Sequence, residues 1–370
     1  MSDATPPLLE KLETAPPYAD KPQMLASPEF SAWLTANDVC VALTTYQAGR
    51  LFLIGRGEGE RLRAHERKVD RCQGMWTDGK TIWVSSKSIL WRFENDLAGD
   101  PTSRLFAPRE GRVTGKIDIH DIATTTIDGR RAPIFVSTAY NCLATISDTA
   151  SFRPLWRPPF ISAIVGEDRC HLNGLAMDGE RPAFVTAVSR SDIADGWRDR
   201  RDSGGVVLDV ASGEVVVSGL SMPHSPRLYR GELWVLNSGT GEFGRVDMAG
   251  GRFEPVAFVP GFSRGLAFVG DHAVIGLSRP RRNATFEGLA LQGALEAKDT
   301  PPRCGLVVID LRSGRTTEWL RFEPHSTIEE LYDVAVLPGV ARAEAIGFLG
   351  DAIETSVSIE NVDAPPLWSA

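Results

Sequence analysis

Gly74-Met-Trp-Thr-Asp-Gly79 is the stretch on which the fold turns, because variants of it recur along the chain. Gly174-Leu-Ala-Met-Asp-Gly179 and Gly265-Leu-Ala-Phe-Val-Gly270 repeat its frame, and Pro226-Arg-Leu-Tyr-Arg-Gly231 keeps the length and the closing glycine. Asp121-Ile-Ala, with Asp128-Gly129 after it, and Asp333-Val-Ala-Val-Leu-Pro-Gly339 are looser copies. Successive starts fall at residues 74, 121, 174, 226, 265 and 333. Short strands recurring every ~40–50 residues are the sequence sign of a β-propeller.

Each copy is followed by a second run rich in Val, Ile, Phe and Trp, such as Ile82-Trp-Val84, Ile134-Phe-Val136 and Leu233-Trp-Val235. Those residue types fit a pleated, half-buried surface. Third strands such as Gly205-Val-Val-Leu-Asp209 end in Ser-Gly turns, and fourth strands lead into the next copy. Near the N-terminus, residues 39–46, 50–55 and 61–68 read as three strands of a blade that lacks its first. The copy at Asp333 supplies that strand, so N- and C-terminal strands close the ring and remove exposed edges. The expected fold is all-β, a six-bladed β-propeller. Seven blades is the alternative, because residues 343–348 read as a second strand at the C-terminal end.

The expected organisation is an irregular arm over residues 1–27, one propeller domain over 28–352, and a tail over 353–370. The composition is that of an ordinary globular chain, with 42% hydrophobic and 24% charged residues. A net charge of −8 argues against nucleic acid or an anionic membrane as partner. No run reaches the ~18 apolar residues of a membrane span. The first residues are acidic and lack an apolar core, unlike a secretory leader. The five cysteines are odd in number and form no CxxC pair, which points to free thiols in a reducing compartment. A cytoplasmic location is expected.

Two insertions, residues 190–203 and 279–303, fall between second and third strands. In an up-and-down blade that loop emerges on the same face as the loop entering the first strand. The insertions and the repeat starts should therefore crowd one rim of the central channel, the usual binding face of a repeat protein.

Three of the six histidines lie at consecutive repeat starts: His120, His171 and His224. Converging imidazoles are how a chain builds an open transition-metal site, so these three are the expected ligands of a divalent metal, zinc first. The alternative is that each caps a strand or bonds a neighbouring loop. The residues just before the six starts are Gln73, His120, Asn173, Ser225, Arg264 and Tyr332, all polar. A ring of that kind points to a ligand, or else to a water-filled channel. Glu329, Glu330 and Asp333 add acidic groups at the last start. Glu330, Tyr332 and Asp333 are the expected proton-moving groups, and the carboxylates make Ca²⁺ the alternative metal. Gln73, Asn173, Arg190, Trp197, Ser225 and Arg264 are the expected substrate-binding residues, with Arg190 clamping a carboxylate and Trp197 acting as an apolar lid. Cys170, next to His171, reads as a small buried hydrophobe.

Several longer phrases then carry a resemblance. They include Thr44-Thr-Tyr-Gln-Ala-Gly-Arg-Leu-Phe-Leu-Ile-Gly55, Glu167-Asp-Arg-Cys-His-Leu-Asn-Gly-Leu-Ala176, Met222-Pro-His-Ser-Pro-Arg227 and Leu236-Asn-Ser-Gly-Thr-Gly-Glu-Phe-Gly244. Together they resemble a bacterial family of conserved proteins of unknown function, propeller-like and in some members attached to tetratricopeptide repeats. The resemblance spans residues 30–348 and implies no activity and no catalytic residue.

The functional expectation rests on the residues alone. It is a metal-dependent enzyme of hydrolase or lyase type, acting on a small polar or carboxylated substrate at the channel mouth. The alternative is a non-catalytic propeller that binds a ligand, a peptide or a partner protein through the same face.

Overall fold

The computed structural model describes residues 23–57, 59, 61–97, 100–279, 288–323 and 327–359. Six antiparallel sheets of four principal strands stand in a ring, each running outward from the channel. The innermost strands are Met75–Thr77, Ile119–Ile127, Leu172–Asp178, Pro223–Tyr229, Phe262–Val269 and Val334–Pro338. Each holds one copy of the repeated phrase, which is what made the repeat visible.

The glycine that closes each phrase has a backbone reason to be there. Gly79, Gly129, Gly179, Gly231, Gly270 and Gly339 all have positive φ, from 54° to 85°. They turn the chain from first to second strand in a conformation that costs other residues more. Asp128 (φ 51°) and Arg230 (φ 52°) precede two of them in the same region. Two successive positive φ values match the twist of the flanking strands.

Ring closure follows the expected arrangement. Val334–Pro338 pairs antiparallel with Val39–Thr45, with Leu43 opposite Val334, so the first and last parts of the ring share one sheet. The C-terminal segment is where the reading differs. Arg342–Ala345 adds no second strand to that blade; it pairs parallel with Ser103–Val113, outermost in the neighbouring sheet. That settles the count at six blades. Inside the arm read as irregular, Met24–Ala26 pairs with Thr316–Phe322 as a fifth strand. Residues 1–22 and 360–370 lie outside the described residues.

Apolar side chains fill the spaces between blades. Phe52 and Phe322 meet with ring centroids 5.3 Å apart, packed with Phe30, Leu34 and Val274 where the closing blade meets the next. Burying such a ring is worth roughly 1.5–3 kcal/mol.

Towards the channel the strands converge, and side-chain volume becomes the constraint. A Cβ on Gly174 would stand 2.3 Å from Pro226 Cδ, 2.6 Å from Thr186 Oγ1 and 3.0 Å from the Ser225 nitrogen. The proline ring and the backbone cannot retreat. Gly174→Ala is expected to destabilise by about 1–3 kcal/mol, read as a lower midpoint in chemical denaturation.

Candidate functional site at the channel mouth

The two insertions do meet over one rim. Trp197 of the first and Leu289, Leu291 and Leu295 of the second join Val188, Met222 and Phe262 in one buried cluster. The helix Ala290–Ala297 is anchored by the Leu291 amide, which donates to the Gly239 carbonyl at 2.8 Å. Residues 280–287 lie outside the described residues.

Beside that cluster, aromatic and polar side chains of successive blades touch in a chain. Trp197 lies against His171 with centroids 4.2 Å apart. His171 meets His120 edge-on at 5.1 Å, and His120 meets Tyr332 edge-on at 5.3 Å. The Arg264 guanidinium lies 5.0 Å from the Tyr332 ring and 5.0 Å from the Phe262 ring. Phe262 in turn meets His224 at 5.4 Å. All three histidines are thereby drawn to one rim.

In each imidazole Nδ1 faces an acceptor. His120 Nδ1 donates to the Asp118 carbonyl at 3.2 Å, and His224 Nδ1 to the Met222 carbonyl at 2.8 Å. His171 Nδ1 donates to the Asp168 carboxylate at 2.9 and 3.1 Å. A carbonyl or carboxylate oxygen only accepts, so the facing nitrogen carries the hydrogen. Nε2 is left for something else. The His224 Nε2 is buried without a hydrogen-bond partner, as are Tyr332 Oη and Asn173 Nδ2. Buried polar atoms normally have partners, so each exception calls for an explanation.

The electrostatics keep two of these rings neutral. Burial first, then the nearby His171, lowers the His120 pKa to about 4. Burial and the Arg264 charge put His224 well below the usual histidine range. Burial lifts the Tyr332 phenol well above its ordinary value. Burial also pushes the Asp168 carboxyl up, yet His171 beside it, helped by Trp197, holds it below the usual range.

Trp197 is only 2% exposed and donates Nε1 to Asp168 Oδ2 at 2.9 Å. It is a fixed wall behind His171, where the sequence led us to expect a lid. Arg190 is exposed and lies over Phe160, 5.9 Å from the ring centroid; it is not among the touching side chains. Glu330 is buried against Arg264 in an ion pair. Gln73 Nε2 reaches Asp118 Oδ1 at 3.3 Å. Ser225 Oγ accepts the Gly265 amide at 3.0 Å. Asn173 Oδ1 accepts from Thr186 Oγ1 at 2.7 Å.

Asp333 sits deeper. Its oxygens accept the Met75 and Val334 amides, each at 2.8 Å. Asp121 does the same two blades on, accepting Ile122 and Leu175 at 3.0 and 2.9 Å. Arg227 binds both oxygens of Asp121 and also the Leu175 and Leu266 carbonyls. Burial, with Asp121 nearby, raises the Asp333 pKa to about 7. An unfolded aspartate titrates near 4, so Asp333 stabilises the fold most below that pH and less as pH rises to 7. The stability gap between the wild type and Asp333→Asn should therefore narrow from pH 4 to pH 7 in denaturant titrations.

Among the described residues no group of three or more His, Cys, Asp or Glu side chains stands close enough to hold a metal ion. As placed, the imidazoles are a touching pair plus one. The sequence reading missed Asp168, which orients His171, although an aspartate three residues before a histidine was there to see. Backbone strain marks the same loops: Asp118, His171, Met222 and Ser225 have φ between 45° and 58°, and such conformations gather at functional sites.

A family model, that of the domain of unknown function DUF4915, matches residues 28–346. No curated protein sequence matches the chain. Among solved structures, one in a nidogen/laminin complex aligns with a TM-score of 0.51 at 13% identity, covering 82% of this chain and 99% of that one. The virginiamycin B lyase of Staphylococcus aureus aligns with a TM-score of 0.38 at 14% identity, covering 64% and 76%. The first likeness is one of fold: a propeller. Among the described residues no helix is long and apolar enough to cross a membrane.

Proposed function

We propose, for a chain that belongs to the DUF4915 family, an enzyme of hydrolase or lyase type that works on a small polar or carboxylate-bearing substrate at the channel mouth. The observation that carries this reading is the Asp168–His171 pair. Its carboxylate is fixed by Trp197, and His171 stands against His120 at the rim. A carboxylate on Nδ1 sets the tautomer and turns Nε2 into the proton acceptor, as in known base–orienter pairs.

In hydrolysis, His171 Nε2 takes a proton from water as the water oxygen bonds to the substrate carbonyl carbon. When the bond to the leaving group breaks, the same nitrogen returns the proton to that group. In elimination, Nε2 takes a carbon-bound proton, the departing group leaves with its electron pair, and Nε2 passes the proton to that group. Asn173 and Tyr332 supply donors to a polar substrate. Glu330 holds Arg264 and is assigned no proton-transfer step, and Asp333, with both oxygens on backbone amides, is assigned to the framework.

No step is routed through a metal, because the described side chains assemble no group of three ligands. Elemental mass spectrometry decides the point. About one Zn²⁺ per chain, lost in His120→Ala/His171→Ala, would bring His224 into a three-histidine centre; a similar load of Ca²⁺ would direct attention to the carboxylates.

The enzyme reading is tested with a panel of esters, lactones, amides and β-substituted carbonyl compounds. Turnover of at least one class above that of the His120→Ala/His171→Ala variant is expected. Equal turnover across the panel overturns it. A second reading is a propeller that holds a peptide or a partner protein. Ile193, 67% exposed within the insertion that reaches the rim, favours it. Ile193→Asp would then weaken the partner's binding and leave turnover unchanged.

A further inference from the structure

The mouth offers an unusual balance of hydrogen-bonding groups. With Nδ1 committed to the Asp118 and Met222 carbonyls, the neutral imidazoles of His120 and His224 present Nε2 as an acceptor. Around them stand two donors without partners, the Asn173 amide nitrogen and the Tyr332 hydroxyl. A ligand that satisfies this set must both donate and accept at short range. A hydroxyl group does so with one atom; a carboxylate only accepts, and an ammonium only donates.

Charge narrows the class further. Two guanidiniums touch this chain of side chains and both are already paired, Arg264 with Glu330 and Arg198, 4.5 Å from the Trp197 ring centroid, with Asp195. A carboxylate ligand would have to displace Glu330 or Asp195 from its arginine and also face the imidazole lone pairs. A cation would enter beside Arg264, whose positive charge is felt at both His120 and His224. Leaving a buried acceptor or donor unmatched costs about 1–3 kcal/mol, so each mismatch counts in affinity.

We infer that the mouth selects an uncharged, hydroxyl-rich small molecule, a sugar or polyol, whose hydroxyls donate to His120 and His224 and accept from Asn173 and Tyr332. This inference rests on the reading of the mouth as a ligand site and names the class of molecule that site takes.

Two matched pairs test it on the full chain: D-glucose against D-glucuronate, and D-galactose against D-galacturonate. Each pair differs only in a hydroxymethyl group replaced by a carboxylate. Calorimetry should show saturable binding of at least one neutral sugar, with its uronate at least tenfold weaker. His120→Phe, with its fold checked by circular dichroism, should lose at least tenfold in sugar affinity. Asn173→Leu should do likewise and serves if the first variant does not fold. Uronates binding as tightly as the sugars overturn the class and leave the mouth standing as a ligand site. No saturable binding by any of the four overturns the class, and the turnover panel then decides separately whether the mouth stands as a site.

Discussion

His171→Ala is expected to lower kcat/KM by about 10²–10⁴-fold, the usual contribution of a positioned acid–base group. The melting temperature should stay within a few degrees, because the ring lies at the rim and Trp197 still packs with Met222 and Phe262. Asp168→Asn should lower kcat/KM too, by up to about 10⁴-fold, the loss seen when the carboxylate that holds a catalytic histidine's tautomer becomes an amide. Asp168 is a positioning residue, so a fall in rate alone would not identify its role. Its carboxylate fixes Nδ1–H on His171, whereas an asparagine can also present an amide hydrogen to that nitrogen. The acid limb of the pH–rate profile should therefore shift in Asp168→Asn and return towards wild type in Asp168→Glu. Wild-type turnover in His171→Ala would remove the pair from the chemistry.

The second large effect is on stability. Arg227→Met should destabilise by about 3 kcal/mol, the lower end of the range for breaking a buried ion pair, since the Arg227 side chain is 23% exposed and that of Asp121 5%. The guanidinium ties strands of three blades by bonding Asp121, Leu175 and Leu266. Without it, Asp121 keeps only the Ile122 and Leu175 amides, and no guanidinium offsets its repulsion with Asp333. Asp121→Asn added to Arg227→Met should recover part of the loss, because the unpaired charge goes with it. Denaturant midpoints of the four members of this cycle measure the coupling. Additive losses would show that the pair carries no special weight.

The ring was legible in the sequence because its repeat is enforced by backbone geometry. Every phrase-closing glycine, from Gly79 to Gly339, sits at a positive φ, so no blade can dispense with it cheaply. The rim was legible for a topological reason: loops before first strands and after second strands share a face, and Trp197 does meet His171 there.

What the sequence hid depended on contacts between distant residues. Trp197 lies 29 positions from Asp168, and nothing in the local pattern announces their hydrogen bond. Nor does Asp121 announce Arg227, 106 positions away. The added outer strands Met24–Ala26 and Arg342–Ala345 are too short to show alternation, and the second pairs in parallel with a neighbouring blade. Residues 343–348 read as a second strand of the closing blade, which keeps seven blades open, and the parallel pairing with the neighbouring sheet decides for six.

The most direct measurement is a long-range ¹H–¹⁵N correlation of the histidine side chains at pH 7. The account predicts His120 and His224 as neutral rings protonated at Nδ1 with bare Nε2, and a Nδ1 proton on His171 facing Asp168. Charged His120 and His224 rings at that pH, or protons on Nε2 of the neutral ones, would contradict it.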